Sequence, residues 1–186
     1  MRRFDSLVEH FRNVWASVAS WPPREAWLQC LQIFGLFVLC AASIGSASGF
    51  LYFRLAGLPL TALVLLPFSI AIRPAFVEEF LFRVVLLPRN TEDVPMRRLI
   101  AIAAIALAAF VVSHPVHGWL SRPADLNLFT SPVFLLIAAL LGFACTITYW
   151  ISKSIWPPFF LHWVSVLVWI LFLGGAGKLA GNGLSP

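Results

Sequence analysis

The stretch that decides the fold is residues 58–88, which read LPLTALVLLPFSIAIRPAFVEEFLFRVVLLP. It is apolar apart from four charged residues, and Pro67 and Arg73-Pro74 interrupt it. Split into two helices, it gives pieces of about 15 residues, or ~22 Å at 1.5 Å per residue, which is short of a hydrocarbon core of ~30 Å. Taken as one kinked helix, it crosses the core. The stretch therefore predicts a single kinked transmembrane element.

Four uninterrupted apolar runs surround this stretch, and each is long enough to span a bilayer. They cover residues 26–53, 99–120, 132–150 and 157–175. The whole chain of 186 residues is 60% hydrophobic and 11% charged, whereas about a quarter of the positions of a water-soluble domain are charged. Composition therefore excludes a soluble enzyme and predicts an all-α, polytopic membrane bundle of about five spans.

Residues 1–25 form a separate segment with helical periodicity. Apolar side chains recur on one face and charged ones on the others, which is typical of an amphipathic helix in the membrane interface. A helix packed on protein is an equally good interpretation. Trp21-Pro22-Pro23 ends the segment. We therefore divide the chain into an interfacial helix at residues 1–25 and a membrane-embedded bundle at residues 26–186.

Basic residues between the spans predict the orientation of the bundle. With five spans, eight of them fall on the side of the N-terminus and three on the other side, so the N-terminus is predicted to be cytoplasmic. The first group is Arg2, Arg3, Arg12, Arg24, Arg89, Arg97, Arg98 and Lys153, and the second is Arg54, Arg122 and Lys178. This excess, which underlies the net charge of +5, suits anionic lipid headgroups rather than nucleic acid.

Three charged residues of the kinked stretch lie close together at membrane depth, where each costs at least about 2.5 kcal/mol. Glu79 and Arg83 are four residues apart and share one helix face, so they are predicted to pair. Glu78 is turned about 100° away from them. Its carboxylate is left without a positive partner, which suits a general base.

Three histidines occur in two other spans. His114 and His117 are three residues apart, and Pro115 between them predicts a bend or an end of the helix. His117 is either a supporting residue or a headgroup-level residue beside Trp119. His162 follows Trp156-Pro157-Pro158 near the start of the last span, where a structural role is the alternative to a catalytic one.

Taken in order, Glu78 to Arg83 fits EExxxR, Phe110 to His114 fits FxxxH, and His162 supplies a third histidine. The chain thus resembles the CAAX protease and bacteriocin-processing family of glutamic intramembrane endopeptidases, also called the Abi family, over about residues 58–175. The resemblance implies that Glu78 and His114 activate a water molecule for attack on a peptide bond. It also implies that Glu79 and Arg83 shape the site and that His162 stabilises the oxyanion.

The third motif departs from the family, in which HxxxN is usual. Val166 stands where the asparagine is expected, and loss of an oxyanion donor costs about 2.7 to 4 kcal/mol in a transition state. Ser165 is predicted to donate in its place, or a backbone amide acts with His162. No cofactor is expected, although two carboxylates and the histidines could hold zinc as an alternative. The cysteines Cys30, Cys40 and Cys145 have no CxxC spacing and are predicted to be core residues.

The leading hypothesis is an endopeptidase that cleaves a membrane-associated peptide or protein, in contact with lipid and in the plasma membrane of a bacterium. A bacteriocin precursor, a sorting segment and a regulatory membrane protein all remain as substrates. An ion or proton transporter and a noncatalytic immunity or binding protein are the alternatives. The sequence contains no visible repeat, which disfavours the transporter, and Val166 keeps the noncatalytic protein open. The oligomeric state has no signal in the sequence.

Overall fold

The computed structural model describes residues 2–92 and 94–179, with side chains from residue 8 onward, and these ranges are helical with no β-sheet. The helices are α1 (Arg2–Ala19), α2 (Arg24–Ala47), α3 (Leu60–Val85), α4 (Met96–Ser121), α5 (Leu126–Phe129), α6 (Pro132–Ser152), α7 (Trp156–Phe172) and α8 (Gly175–Leu179). A 3₁₀ turn at Pro123–Asp125 precedes α5.

Five of these helices have the composition of membrane spans. Four of them, α2, α3, α4 and α6, are long and apolar enough to cross a membrane, and α7 is a shorter apolar helix. Large apolar side chains remain exposed along them, as a lipid-facing surface requires. The predicted all-α membrane bundle of about five spans is confirmed.

Prolines mark the beginnings of the spans because a helix start does not need the N–H group that proline lacks. They lie either directly before a helix or in its first turn. The positions are Pro23 before α2, Pro59 before α3, Pro95 before α4, Pro132 at the start of α6, and Pro157 and Pro158 in the first turn of α7.

The α3 helix contains the predicted kink. Regular helix covers Leu60–Ile70, and the backbone then widens into π-type turns at Ala71–Phe76 and Phe80–Val85. Arg73 leaves the helical region altogether, with φ −135° and ψ 119°, as expected for the residue before a proline. Irregular backbone at membrane depth is tolerated where it is buried in protein or lines a polar cavity.

Helix α6 is the centre of the bundle and packs against α2, α4 and α7. Its contact with α2 is close because both helices present small side chains there, including Ala41 of α2 and Ala144 and Cys145 of α6. Cys30 is buried as well. Cys40 is exposed, so the prediction that all three cysteines are core residues is wrong for this position.

Helix α1 docks onto the bundle through its last two turns. Ser17 is fully buried, its hydroxyl lies 3.0 Å from the Tyr149 hydroxyl, and its carbonyl accepts a 3.0 Å hydrogen bond from the Ile155 amide. On the outer side Phe11 and Trp15 are 70% and 73% exposed. The helix thus packs on protein through one face and leaves large apolar side chains uncovered on the other, and its place in the membrane interface stays a prediction. The domain boundary itself stays a prediction.

Candidate active site

Glu79 and Arg83 form a buried ion pair on α3. The Arg83 Nε atom lies 3.1 Å from the Glu79 Oε2 atom, and the two side chains are 2% and 0% exposed. The four-residue spacing that predicted this pair is confirmed. Because a bare ion pair barely compensates for the loss of hydration, further polar contacts are needed to hold these charges inside the bundle.

Arg83 obtains those contacts from two neighbouring helices. Its Nη2 group donates a 2.8 Å hydrogen bond to the Gly142 carbonyl of α6, and its guanidinium carbon lies 4.7 Å from the centre of the Phe110 ring of α4. A Cβ atom on Gly142 would come within 2.8 Å of both Phe110 and Leu107 and 3.1 Å of Arg83. Glycine is therefore the residue that lets α6 approach α4 at this point.

His162 joins the pair from the first turns of α7 and is also buried. Its Nδ1 atom lies 2.7 Å from the Glu79 Oε1 atom, and its Nε2 atom lies 3.9 Å from the Glu78 Oε2 atom. We call Glu79, Arg83 and His162 the buried triad. In it the Glu79 carboxylate links a guanidinium to an imidazole and fixes which ring nitrogen faces Glu78.

Glu78 lies at the edge of the buried triad and differs from Glu79 in its surroundings. Its side chain is 28% exposed, and its inner oxygen, Oε2, makes no hydrogen bond within the described part of the chain. Its only ion-pair contact within 4.0 Å there is the one with His162. The adjacent glutamates therefore have separate environments: Glu79 is buried in contact with Arg83 and His162, whereas Glu78 is partly exposed and has one oxygen without a hydrogen bond.

His114 reaches this region through Phe110, one helical turn earlier. Its Nδ1 atom lies 2.9 Å from the Phe110 carbonyl oxygen, and its ring stands edge to face against the Phe110 ring at 4.9 Å. The Phe110 ring in turn lies 6.1 Å from that of His162. The rings of His114 and His162 thus both lie against Phe110, and within the described part of the chain no ion pair within 4.0 Å joins Glu78 to His114. Helix α4 continues through Pro115 to Ser121, so the proline does not end it.

Two predicted supporting residues stand apart from the buried triad. His117 is half-buried and packs edge to face against Phe129 at 5.6 Å. Ser165 is half-buried, and its hydroxyl donates a 2.7 Å hydrogen bond to the Leu161 carbonyl in its own helix. Since a hydroxyl carries one proton, Ser165 must break this bond before it can donate to an oxyanion. Val166 is half-buried beside it. The roles of both supporting residues stay predictions.

Sequence reasoning missed the Gly142 carbonyl and the position of Phe110 between the histidines. A single glycine in the middle of an apolar span is a signal of close helix approach, and it could have directed attention to α6. The bond from His162 to Glu79 had no such signal, because the rotation of α7 relative to α3 is set by packing.

Within residues 2–92 and 94–179, no group of three or more His, Cys, Asp and Glu side chains is arranged to hold a metal ion. Each of the two histidines near Phe110 uses one ring nitrogen in a contact with the protein. His162 Nδ1 contacts Glu79, and His114 Nδ1 contacts the Phe110 carbonyl. One nitrogen of each ring remains available for a ligand.

A family model described as type II CAAX prenyl endopeptidase Rce1-like matches residues 59–168, more than half of the 186 residues. The matched range contains both glutamates, Arg83, His114 and His162. Comparison with curated proteins and with solved structures returned no match. The chain is an integral membrane protein that belongs to the type II CAAX prenyl endopeptidase Rce1-like family, a family of membrane endopeptidases.

Proposed function

We propose that this protein is an intramembrane endopeptidase of the glutamic type, in which Glu78 and His114 activate the attacking water and His162 stabilises the oxyanion. Its substrate would be a membrane-associated peptide or protein, as the name of the family suggests. The observation that carries the proposal is the contrast between the two adjacent glutamates: Glu79 is held by Arg83 and His162, while Glu78 presents an open carboxylate beside them.

Glu78 is the general base in this proposal because its carboxylate is partly exposed and has an oxygen with no partner. Glu79 cannot take that role without breaking two contacts. His114 complements Glu78: in the neutral ring whose Nδ1–H donates to the Phe110 carbonyl, the Nε2 lone pair can accept a hydrogen bond from water. The water would thus be held by two acceptors, and Glu78 would take its proton.

His162 supplies the donor for the developing negative charge. Its Nδ1 proton is directed at the Glu79 carboxylate, so Nε2 can donate only when the ring is protonated. The charges then balance: Glu78 and Glu79 are negative, and Arg83 and the His162 imidazolium are positive. The Glu79 carboxylate accepts the Nδ1 hydrogen bond and keeps Nε2 directed toward the reacting centre.

The reaction follows from these roles. The water oxygen bonds to the peptide carbonyl carbon while its proton moves to Glu78, and the carbonyl oxygen becomes an oxyanion that accepts a hydrogen bond from His162. Glu78 then passes the proton to the amide nitrogen, the C–N bond breaks, and an acid and an amine leave. No metal ion takes part in this scheme.

Cleavage of an internally quenched peptide library by the purified protein in liposomes tests the proposal. We expect Glu78→Gln and His114→Ala to abolish cleavage and a chelator to leave it unchanged. Full activity in either variant would disprove the water-activation scheme, and loss of activity with the chelator followed by recovery with zinc would replace it with a metal mechanism.

A noncatalytic binding or immunity protein is the second candidate, because Val166 occupies the position of the expected asparagine and Ser165 bonds to its own helix. It predicts that the Glu78→Gln and His114→Ala variants, expressed at the normal protein level, restore the phenotype of cells that lack the protein. Rescue of that kind, together with no cleavage by the wild-type protein, would favour this candidate.

The proposed setting is a bacterial plasma membrane with the N-terminus on the cytoplasmic side. The distribution of basic residues supports this orientation. Single cysteines introduced at Arg12 and at Arg122, in a chain without its own cysteines, would be labelled from opposite sides of sealed vesicles. Labelling of both from one side would reject the five-span arrangement.

A further inference from the structure

A cavity that takes no part in the proposed chemistry lies at the end of the bundle where α2 and α7 finish. It is lined by residues 54–58 of the loop between α2 and α3, by Ile170 of α7, and by Gly174, Ala176 and Gly177 around the start of α8. Its volume of about 260 Å³ is below the range that drug-sized ligands need and suits one small chemical group. We call it the Arg54 cavity.

The backbone fixes both walls of the Arg54 cavity. On the loop side, the Arg54 amide donates a 2.9 Å hydrogen bond to the Phe172 carbonyl at the end of α7. The Ala56 amide donates a hydrogen bond of the same length to the Leu171 carbonyl. On the other side, the chain turns from α7 into α8 at Gly174, whose φ of +80° costs glycine no steric strain. The two walls are therefore held in place by backbone geometry.

The Arg54 side chain reaches from the loop to the opposite wall. A Cβ atom built on Gly177 would lie 3.8 Å from the Arg54 Nη1 atom and would meet nothing closer. The guanidinium therefore lies against the lining of the cavity. Arg54 is exposed, and none of the ion pairs within 4.0 Å in the described part of the chain includes it. A guanidinium in this position can donate hydrogen bonds to an anion that enters the cavity.

Other basic residues add to the positive charge at this end of the bundle. The Lys178 Nζ atom lies 4.9 Å from the centre of the Phe50 ring, and Arg122 donates a 3.1 Å hydrogen bond to the last carbonyl of α8. Asp125 lies here as well, and it pairs with Arg122. Among the described residues, three basic side chains thus stand against one acidic side chain around α8, which favours a ligand with negative charge.

Large apolar side chains flank Arg54 along the loop. Its immediate neighbours Phe53 and Leu55, and Leu60 at the start of α3, are all largely exposed. At the end of a membrane span, exposed apolar residues contact lipid. A positive cavity beside such a surface matches the chemistry of a phospholipid, in which a phosphate group is joined to hydrocarbon chains. A soluble anion would gain nothing from these apolar neighbours.

We propose that the Arg54 cavity binds the phosphate group of an anionic phospholipid, with the Arg54 guanidinium as its main ligand. Arginine binds phosphate through two parallel charge-assisted hydrogen bonds, and Lys178 adds attraction for a headgroup with net negative charge. The acyl chains extend along Phe53 and Leu55. No lining residue belongs to the proposed active site, so the proposal stands or falls independently of peptide cleavage.

Native mass spectrometry of the purified, delipidated protein in detergent tests the proposal, because it counts the lipids bound to intact protein. The probes are phosphatidylglycerol, phosphatidylcholine and diacylglycerol with identical acyl chains, and inorganic phosphate is added as a competitor. We expect phosphatidylglycerol to bind about tenfold more tightly than diacylglycerol, which lacks the phosphate. Phosphatidylcholine should bind with intermediate affinity, and inorganic phosphate at the same concentration should displace neither lipid.

Substitutions assign the bound phosphate to this cavity. Arg54→Gln should remove the tenfold preference for phosphatidylglycerol, and Arg54→Lys should keep part of it. The matched control Arg97→Gln changes an exposed arginine at the opposite end of the bundle, where α4 begins, and should leave the preference intact. Gly177→Leu, which fills the cavity, should also remove the preference, whereas Gly35→Leu, at a glycine of α2 with open space around it, should not.

Equal affinity for phosphatidylglycerol and diacylglycerol, including no detectable binding of either, overturns the proposal, as does equal affinity for phosphatidylglycerol and phosphatidylcholine. A preference that survives Arg54→Gln or Gly177→Leu overturns it as well, because the phosphate would then bind elsewhere. Displacement by inorganic phosphate at equal concentration overturns it in favour of a soluble anion. None of these measurements involves cleavage, so each outcome is distinct from failure of the proposed function.

Discussion

Two glutamate–cation pairs of this protein occupy opposite environments. Glu79 and Arg83 lie inside the bundle with their side chains 0% and 2% exposed, whereas Glu92 and Lys153 join two loops with theirs 66% and 34% exposed. The distances are of the same order, 3.1 Å in the first pair and 2.5 Å in the second. What differs is the number of further partners, since the buried pair also binds His162 and the Gly142 carbonyl.

The difference shows why only the buried pair can organise a site. An exposed ion pair is screened by water and constrains its neighbours little. A buried pair needs further polar contacts to offset its lost hydration, and each added contact also fixes the group that provides it. Glu79 and Arg83 thereby hold His162 and leave Glu78 as the free carboxylate.

The largest expected effect is on the buried pair itself. Arg83→Met leaves the Glu79 carboxylate inside the bundle without its guanidinium, and such a loss costs about 3–5 kcal/mol. We expect a large drop in thermal stability in detergent, with part of it restored in the double variant Glu79→Gln/Arg83→Met. A melting curve of Arg83→Met that matches the one of Lys153→Gln would contradict the comparison.

Packing around the buried pair gives the next effect. Gly142→Ala places a methyl group against Phe110, Leu107 and Arg83, and overpacking of this kind costs about 1–3 kcal/mol. Gly35→Ala is the matched control because a Cβ atom there has open space within 4 Å and alanine favours the helix. Differential scanning calorimetry should show a lower melting temperature for Gly142→Ala and no decrease for Gly35→Ala. Equal curves would mean that α6 does not approach α4 closely.

A buried neutral hydrogen bond should have a smaller effect. Tyr149→Phe removes the hydroxyl that contacts Ser17, at a cost of about 0.5–1.5 kcal/mol. Because Ser17 still donates to the Asn13 carbonyl, the effect should be confined to the docking of α1. Hydrogen exchange should speed up in the last turns of α1, while Tyr52→Phe leaves the exchange there unchanged. Faster exchange throughout the bundle would contradict a local role.

The smallest effect belongs to the exposed pair. A hydrogen bond from Lys153 lowers the pKa of Glu92 below its usual range. A carboxylate with a lowered pKa stabilises the fold above its unfolded pKa, and that contribution is lost as the pH falls through the folded value. Since water screens this pair, Lys153→Gln should return the pKa of Glu92 toward normal in an NMR titration without a measurable change in melting temperature. A pKa that stays low in Lys153→Gln would remove Lys153 as the cause.

The sequence predicted what depends on distance along one helix. The single kinked span, the break before Pro74 and the Glu79–Arg83 pair all follow from spacing and from proline chemistry. The separation of Glu78 from that pair follows from the helical turn of about 100° per residue.

The sequence could not predict what depends on how helices pack against one another. The contact from His162 to Glu79 joins residues 83 positions apart, and the bond from Arg83 to the Gly142 carbonyl joins residues 59 positions apart. Both require the rotation of one helix relative to another, which many side chains set together. The docking of Ser17 onto Tyr149 was missed for the same reason, and the exposure of Cys40 shows that an apolar run does not reveal which face meets lipid.

The most direct test of the account is the single-turnover rate of peptide cleavage by Glu78→Gln, measured beside Glu92→Gln at equal amounts of folded protein. Both variants replace a glutamate with a glutamine, and they differ only in the position of that glutamate. We expect a rate at least about 10² times lower for Glu78→Gln, because the general base is lost, and a rate equal to wild type for Glu92→Gln. A Glu78→Gln protein that cleaves at the wild-type rate would contradict this expectation.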